Sequence, residues 1–89
     1  MLNMIVSFFG GVVEHTGGEK IFKSAGAANI RALIDELGGC FGEDFRAYLL
    51  DGDNCFFLIN GQGLMVTGGL DSFLQPGDRV DVLPLIEAG

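Results

Sequence analysis

One amphipathic stripe, between residues 30 and 37, most constrains how this chain folds. Its apolar residues recur at i, i+3, i+4 and i+7, the spacing of one face of an α-helix, and they are Ile30, Leu33, Ile34 and Leu37. Asn29 is a suitable N-cap because its side chain can accept a first-turn amide hydrogen. Gly38 and Gly39 suit a left-handed C-terminal cap. The sequence therefore predicts a helix that ends before Gly39 and must bury its stripe against another element.

The remaining segments are short, separated by glycines and typical of strands. Strands are predicted at 4–9, 19–24, 55–60, 64–67 and 79–83. The first two form a hairpin around a loop at 12–18, and a second helical turn is expected at 43–50, with Phe45 and Leu49 inward. One main helix on one face of a mixed sheet of about four to five strands gives a two-layer α+β domain. The first and last strands are expected side by side in its middle.

Composition narrows the classes of partner. A net charge of −7 with five Lys and Arg argues against nucleic acid, because phosphate contacts need clustered cations. It favours a partner with a basic surface. The apolar N-terminal run lacks a basic segment before it and is too short to span a membrane. We therefore expect a single domain over 1–89 in the cytoplasm.

Few side chains have the pattern of a catalytic or metal site. Cys40 and Cys55 form no CxxC pair and are expected to be reduced thiols with a packing role. His15 has no convergent partners in the sequence, so we interpret it as a solvated loop residue and not a metal ligand. With no nucleophile–base pair or paired carboxylates visible, the sequence predicts that the chain is not an enzyme.

The chain closes with PGDRVDVLPLIEAG, residues 76–89. A strand is followed by Pro84, which has no N–H to pair and helps to end a sheet. A short apolar run, Leu85 and Ile86, then leads through Glu87 to two small residues, Ala88 and Gly89. Glycine allows a close approach of backbone to another molecule because it has no Cβ. We expect a tail at about 84–89 that projects from the domain.

Motifs in the last third resemble those of a known family. INGQ at 59–62 and LDSFLQPGDRVDVLPLIEAG from residue 70 onward are similar to the corresponding segments of the MoaD/ThiS sulfur carriers, and closest to the MoaD branch. The matching positions are Asn60–Gly61, Leu70–Asp71, Gly77–Asp78, Val80 to Leu83 and Pro84. The resemblance implies a β-grasp (ubiquitin-like) fold over the whole chain.

The resemblance also implies a function. A ubiquitin-activating-type enzyme would use ATP to adenylate Gly89, and sulfur transfer would then give a C-terminal thiocarboxylate. The receiver would be the large, MoaE-like subunit of molybdopterin (or tungstopterin) synthase. Thiazole synthase in thiamine synthesis, or protein tagging, is the alternative. The chain itself would bind no cofactor.

The tail departs from the family at its end. Ala88 stands where the family has glycine, and Glu87 adds a charge. An extra methyl in a narrow active site costs about 1–3 kcal/mol through overpacking. A non-reactive β-grasp interaction module therefore stays open as an alternative.

A docking surface is expected beside the tail. CFFLIN at 55–60 is apolar on both faces, so the strand can pack on the helix and still offer an apolar outer face; cover by flanking loops is the alternative. The predicted partner-binding residues are Phe57, Ile59, Leu83, Pro84, Leu85 and Ile86. Acidic residues nearby form either a solvated face or an acidic rim for a basic partner, and they are Asp71, Asp78, Asp81 and Glu87.

Overall fold

The computed structural model describes residues 3–85, and in that range it shows a five-stranded mixed sheet with helices on one face. The strands are β1 (Met4–Phe8), β2 (Ile21–Ser24), β3 (Cys55–Ile59), β4 (Gln62–Gly63) and β5 (Arg79–Pro84). The α-helices are α1 (Ile30–Phe41), α2 (Glu43–Leu50) and α3 (Leu64–Thr67), and 3₁₀ turns span Gly10–Thr16 and Gly69–Asp71. The predicted α+β, β-grasp fold is confirmed.

The strand order is β2-β1-β5-β3-β4. β1 and β5 are parallel neighbours in the middle of the sheet, as predicted, while β1–β2 and β3–β5 are antiparallel pairs. The stripe of α1 is fully buried against this sheet. The last strand is therefore hydrogen-bonded on both sides, which gives the segment that follows it a rigid base.

Helix α1 begins as predicted and ends later than predicted. The Asn29 side chain accepts a hydrogen bond from the Ala32 amide at 2.8 Å, which confirms the N-cap. The cap expected at Gly38–Gly39 is wrong, because the helix continues to Phe41 and ends at Gly42 with φ 111°. Gly38 is buried against α2, where an added Cβ would lie 2.8 Å from Cβ of Arg46. This glycine permits the close approach of two helices.

Substituting the two glycines should therefore have opposite effects. Gly39 has no neighbouring atom within 4 Å of an added Cβ, so Gly39→Ala should stabilise the protein by about 0.5–1 kcal/mol through helix propensity. Gly38→Ala gains the same propensity but overpacks the α1–α2 contact, and we expect a net loss of about 1–2 kcal/mol. Urea unfolding of both variants measures the difference. Equal stabilisation by both would show that the helices do not approach this closely.

Two other segments differ from the prediction. Residues 12–16, expected in a loop, belong to the 3₁₀ turn Gly10–Thr16. Residues 64–67, expected as an edge strand, form α3, where the Gly68 amide donates to the Leu64 carbonyl at 2.9 Å. Their β-branched and apolar composition favours a strand, but the sharp turn at Gly68 and Gly69, both at positive φ, reverses the chain here.

An aromatic cluster closes one end of the core. Phe45 of α2 packs edge-to-face on Phe8 and Phe41 at centroid distances of 5.9 and 5.7 Å. His15, although exposed as predicted, lies 4.1 Å from the Tyr48 ring. This histidine therefore packs against aromatic rings.

No helix among residues 3–85 has both the length and the apolar character needed to cross a membrane.

Candidate functional site

The predicted tail begins at the end of the central strand β5. Pro84 is the last residue of β5 and lies opposite Cys55. The Leu85 amide then donates to the Asn54 carbonyl at 3.1 Å, so the backbone is held up to the last described residue. The predicted reactive residue Gly89, with Ile86, Glu87 and Ala88, lies outside the described residues.

The two motifs before the tail are joined by side-chain hydrogen bonds. Asn60, at φ 50° in the turn after β3, donates from Nδ2 to Asp78 Oδ1 at 3.1 Å and accepts from the Arg79 amide at 3.0 Å. Asp78 Oδ2 also accepts from the Gln75 amide at 2.8 Å. These contacts fix the turn that starts β5. The Asn-Gly and Gly-Asp motifs therefore position the strand and supply no reactive group.

The docking prediction is wrong for two of its residues. Phe57 and Ile59 are only 3% and 6% exposed, because they lie opposite Val82 and Val80 on the helix side of the sheet. Directly opposed residues of an antiparallel pair share a face. Since Val80 and Val82 form an evident inward-facing pair, the register would have assigned Phe57 and Ile59 to the core.

The outer face of the sheet carries the residues of opposite parity. Phe56, which is exposed, lies opposite the half-buried Leu83, and Leu58 lies opposite Asp81. Leu85, exposed, continues from this edge. We name Phe56, Leu58, Leu83 and Leu85 the outer apolar strip. Of the predicted residues, Leu83 and Leu85 belong to it, and Pro84 is half-buried with the inward parity.

An ion pair between a buried aspartate and an exposed arginine adjoins the outer apolar strip. The Asp81 side chain is 10% exposed, and its two oxygens accept from Arg79 Nε at 3.1 Å and Nη2 at 3.2 Å. Asp71 pairs with Arg31 at 3.3 Å, and Asp78 is engaged in the turn described above. Each acidic residue of the predicted rim that lies within residues 3–85 thus has a partner in the chain itself.

The two cysteines differ in environment. Cys40 is exposed and Cys55 is buried, so the packing role expected for both holds for Cys55 and is wrong for Cys40. Burial raises the pKa of the Cys55 thiol from 9.0 to about 11, with a smaller contribution from the charge of Asp51.

Alkylation should therefore distinguish the thiols. At pH 8 iodoacetamide is expected to modify Cys40 readily and Cys55 only after unfolding, because the thiolate is the reactive form and Cys55 stays protonated and covered. Because the folded state binds the Cys55 proton more tightly, this thiol contributes to the free energy of unfolding below pH 9. That contribution is lost as the pH rises through about 11. Mass spectrometry of the alkylated native protein, with Cys40→Ala as control, measures the labelling. Rapid labelling of Cys55 in the native control would contradict the buried position.

The sequence of this chain matches a known protein family. The family model described as ThiS family matches residues 6–89, which includes the predicted tail. Among curated protein sequences, none matches the chain.

Solved structures share the fold over nearly the whole chain. A chain in the crystal structure of the BexX/CysO complex of Amycolatopsis orientalis is 26% identical, with a TM-score of 0.81, 97% of this chain covered and 99% of that chain. CysO of Mycobacterium tuberculosis is 25% identical, with a TM-score of 0.80 and coverage of 94% and 100%. A putative molybdopterin converting factor subunit 1 of Pyrococcus furiosus, at 22% identity and a TM-score of 0.71 with 97% and 100% covered, supports the fold.

Proposed function

This chain belongs to the ThiS family of ubiquitin-like sulfur carriers, and from that premise we propose that Gly89 carries sulfur as a C-terminal thiocarboxylate for molybdopterin or tungstopterin synthesis. The observation that carries the proposal is the family match through residue 89. The position of β5 supports it: a central strand, bonded on both sides, leads directly to the tail. In this proposal the domain presents the tail to enzymes and acts as their cosubstrate.

The chemistry explains why a carboxyl group at a glycine suits the task. An α-carboxyl group, with an ordinary pKa of about 3.3–3.7, is ionised at neutral pH. It attacks the α-phosphorus of ATP, releasing pyrophosphate and forming an acyl adenylate. Hydrosulfide-level sulfur supplied by the donor system then attacks the acyl carbon, the bond from that carbon to the AMP oxygen breaks, and AMP leaves with the electron pair, so that the thiocarboxylate remains on Gly89. ATP belongs to the activating enzyme, which we propose is of the ubiquitin-activating type.

The outer apolar strip is the proposed docking face for that enzyme and for the sulfur acceptor. Phe56, Leu58 and Leu83 are apolar, adjacent across β3 and β5, and at least partly exposed. They replace Phe57 and Ile59 in the docking role. Apolar residues at the centre of an interface contribute most of its affinity when a polar rim surrounds them, and the Arg79–Asp81 pair lies beside them.

The receiving enzyme separates the leading pathway from its alternatives. We propose the large, MoaE-like subunit of molybdopterin synthase as the acceptor, with thiazole synthesis or protein tagging as the alternative within the same chemistry.

Ala88 favours a candidate of another class, a β-grasp interaction module whose tail is not activated, because the added methyl group narrows the set of active sites that accept the tail.

Two linked assays test the proposal. The purified ubiquitin-activating-type enzyme of the same organism should exchange pyrophosphate into ATP only when this chain is added. The loaded chain should then transfer sulfur to the molybdopterin synthase large subunit and not to thiazole synthase. Transfer to thiazole synthase alone would redirect the pathway. Absence of exchange, with an enzyme active on another carrier, would remove the carrier proposal.

A further inference from the structure

A second apolar surface, which shares Phe56 with the outer apolar strip, lies on the opposite side of β3 from β5. It is a groove of about 630 Å³ between the end of α2, the start of α3 and β3. The side chains that define it are uncharged, and they are Leu49, Leu50, Cys55, Phe56, Leu64 and Met65. A volume of this size holds several side chains of a bound segment.

The floor of the groove is an open stretch of strand edge. β4 pairs with Leu58 and Ile59 only, so Cys55–Phe57 have β5 as their single neighbouring strand among residues 3–85. The bonds from Asn60 to Arg79 and from Leu85 to Asn54 set the antiparallel alternation. In that alternation the backbone N–H and C=O of Cys55 point away from β5, toward the groove.

The rim combines exposed apolar side chains with unpaired charge. Met65 is fully exposed, and Leu50 and Phe56 are also exposed. Asp51 and Asp53 flank the lining residue Gly52, and neither forms an ion pair within the described part of the chain. A complementary occupant therefore needs apolar side chains for the floor and a cation for the rim.

The position of the groove selects its occupant. Cys55 lies opposite Pro84, and Asn54 is bonded to Leu85, so the groove adjoins the start of the tail. An extended chain spans at most about 3.3–3.6 Å per residue, which keeps Gly89 within roughly 14 Å of Leu85. An enzyme whose active site reaches Gly89 comes this close to Leu85, which brings the neighbouring groove within reach of its surface.

We propose that the groove receives an apolar segment of the enzyme that activates Gly89, with a basic side chain of that enzyme against Asp51 and Asp53. This inference rests on the proposed function and adds a second contact to the outer apolar strip. A second copy of this chain does not fit, because its net charge of −7 opposes placing two acidic rims together.

A matched pair of variants tests the inference. Met65 lines the groove, whereas its neighbour Val66, 75% exposed, does not. Met65→Glu should weaken binding to the purified ubiquitin-activating-type enzyme, measured by calorimetry, at least about tenfold. Val66→Glu adds the same charge one residue away and should change affinity less than about twofold. Asp51→Asn with Asp53→Asn should lower the association rate and its salt dependence.

The outcomes separate this inference from the carrier proposal. If Met65→Glu and Val66→Glu both bind like the wild type, or both weaken binding equally, the groove is not the contact, while wild-type pyrophosphate exchange still supports the carrier function. If the wild type neither binds nor supports exchange, the carrier proposal fails and this inference fails with it. Unchanged circular dichroism of both variants shows that the fold is intact, as expected for two exposed positions.

Discussion

Removal of Ala88 and Gly89 should abolish sulfur loading and leave the thermal midpoint of unfolding unchanged. The buried hydrophobic residues of the described chain lie between Met4 and Val82, and the backbone is bonded as far as Leu85. The deletion therefore removes the proposed reactive carboxylate without touching the core. Loading is measured by mass spectrometry after incubation with ATP, a sulfur source and the activating enzyme.

The same deletion distinguishes a carrier from a binding module. Affinity for the activating enzyme should fall only in part, because the outer apolar strip remains. Biological activity should disappear, because the new terminal carboxylate, on Glu87, is two residues short of the position that is adenylated. If the shortened protein retains full activity in cells, the tail is not activated and the domain acts through binding alone.

Replacement of Ala88 by glycine should raise kcat/KM for adenylation about tenfold. A surplus methyl group in a closely packed site costs about 1–3 kcal/mol, and each 1.4 kcal/mol of barrier corresponds to about a factor of ten. The gain is measured as the rate of pyrophosphate exchange at limiting carrier concentration.

Ala25→Gly provides the control, since Ala25 is an exposed alanine in the loop after β2, remote in sequence from the tail. It should leave kcat/KM unchanged. An activating enzyme that uses Ala88→Gly less well than the wild type would show that its site has a pocket for the methyl group. Ala88 would then be a specificity feature of this carrier.

Local patterns predicted most of the fold. The stripe from Ile30 to Leu37 and the Asn29 cap depend on residues within one helix, and both are visible in the sequence. The pair Gly38–Gly39 resembles a helix end, yet Gly38 is required by its close contact with Arg46 on another helix. No local sequence pattern reveals such a contact. Residues 64–67 have the β propensity of a strand, but they form a short helix that ends in a turn at the following glycines.

The site was less accessible to sequence reasoning. The strand from Cys55 to Ile59 is apolar throughout, so alternation alone does not show which face carries Phe57 and Ile59. Their pairing with Val80 and Val82 assigns both to the core. The bond between Asn60 and Asp78 joins residues from two separate turns, so the motifs could be recognised by resemblance but their structural role could not. The groove requires α2, α3 and β3 together. The sequence predicted the first and last of these elements, but it predicted a strand at 64–67 and did not show how the three pack.

The central claim is that sulfur is carried on the C-terminal carboxyl group of Gly89, as a thiocarboxylate. Intact-mass analysis after incubation with ATP, a sulfur source and the activating enzyme tests it most directly, with fragmentation of the C-terminal peptide to locate the change. We expect a gain equal to the replacement of one oxygen by one sulfur, confined to Gly89. An unchanged mass, with an activating enzyme that loads another carrier in parallel, would contradict the claim.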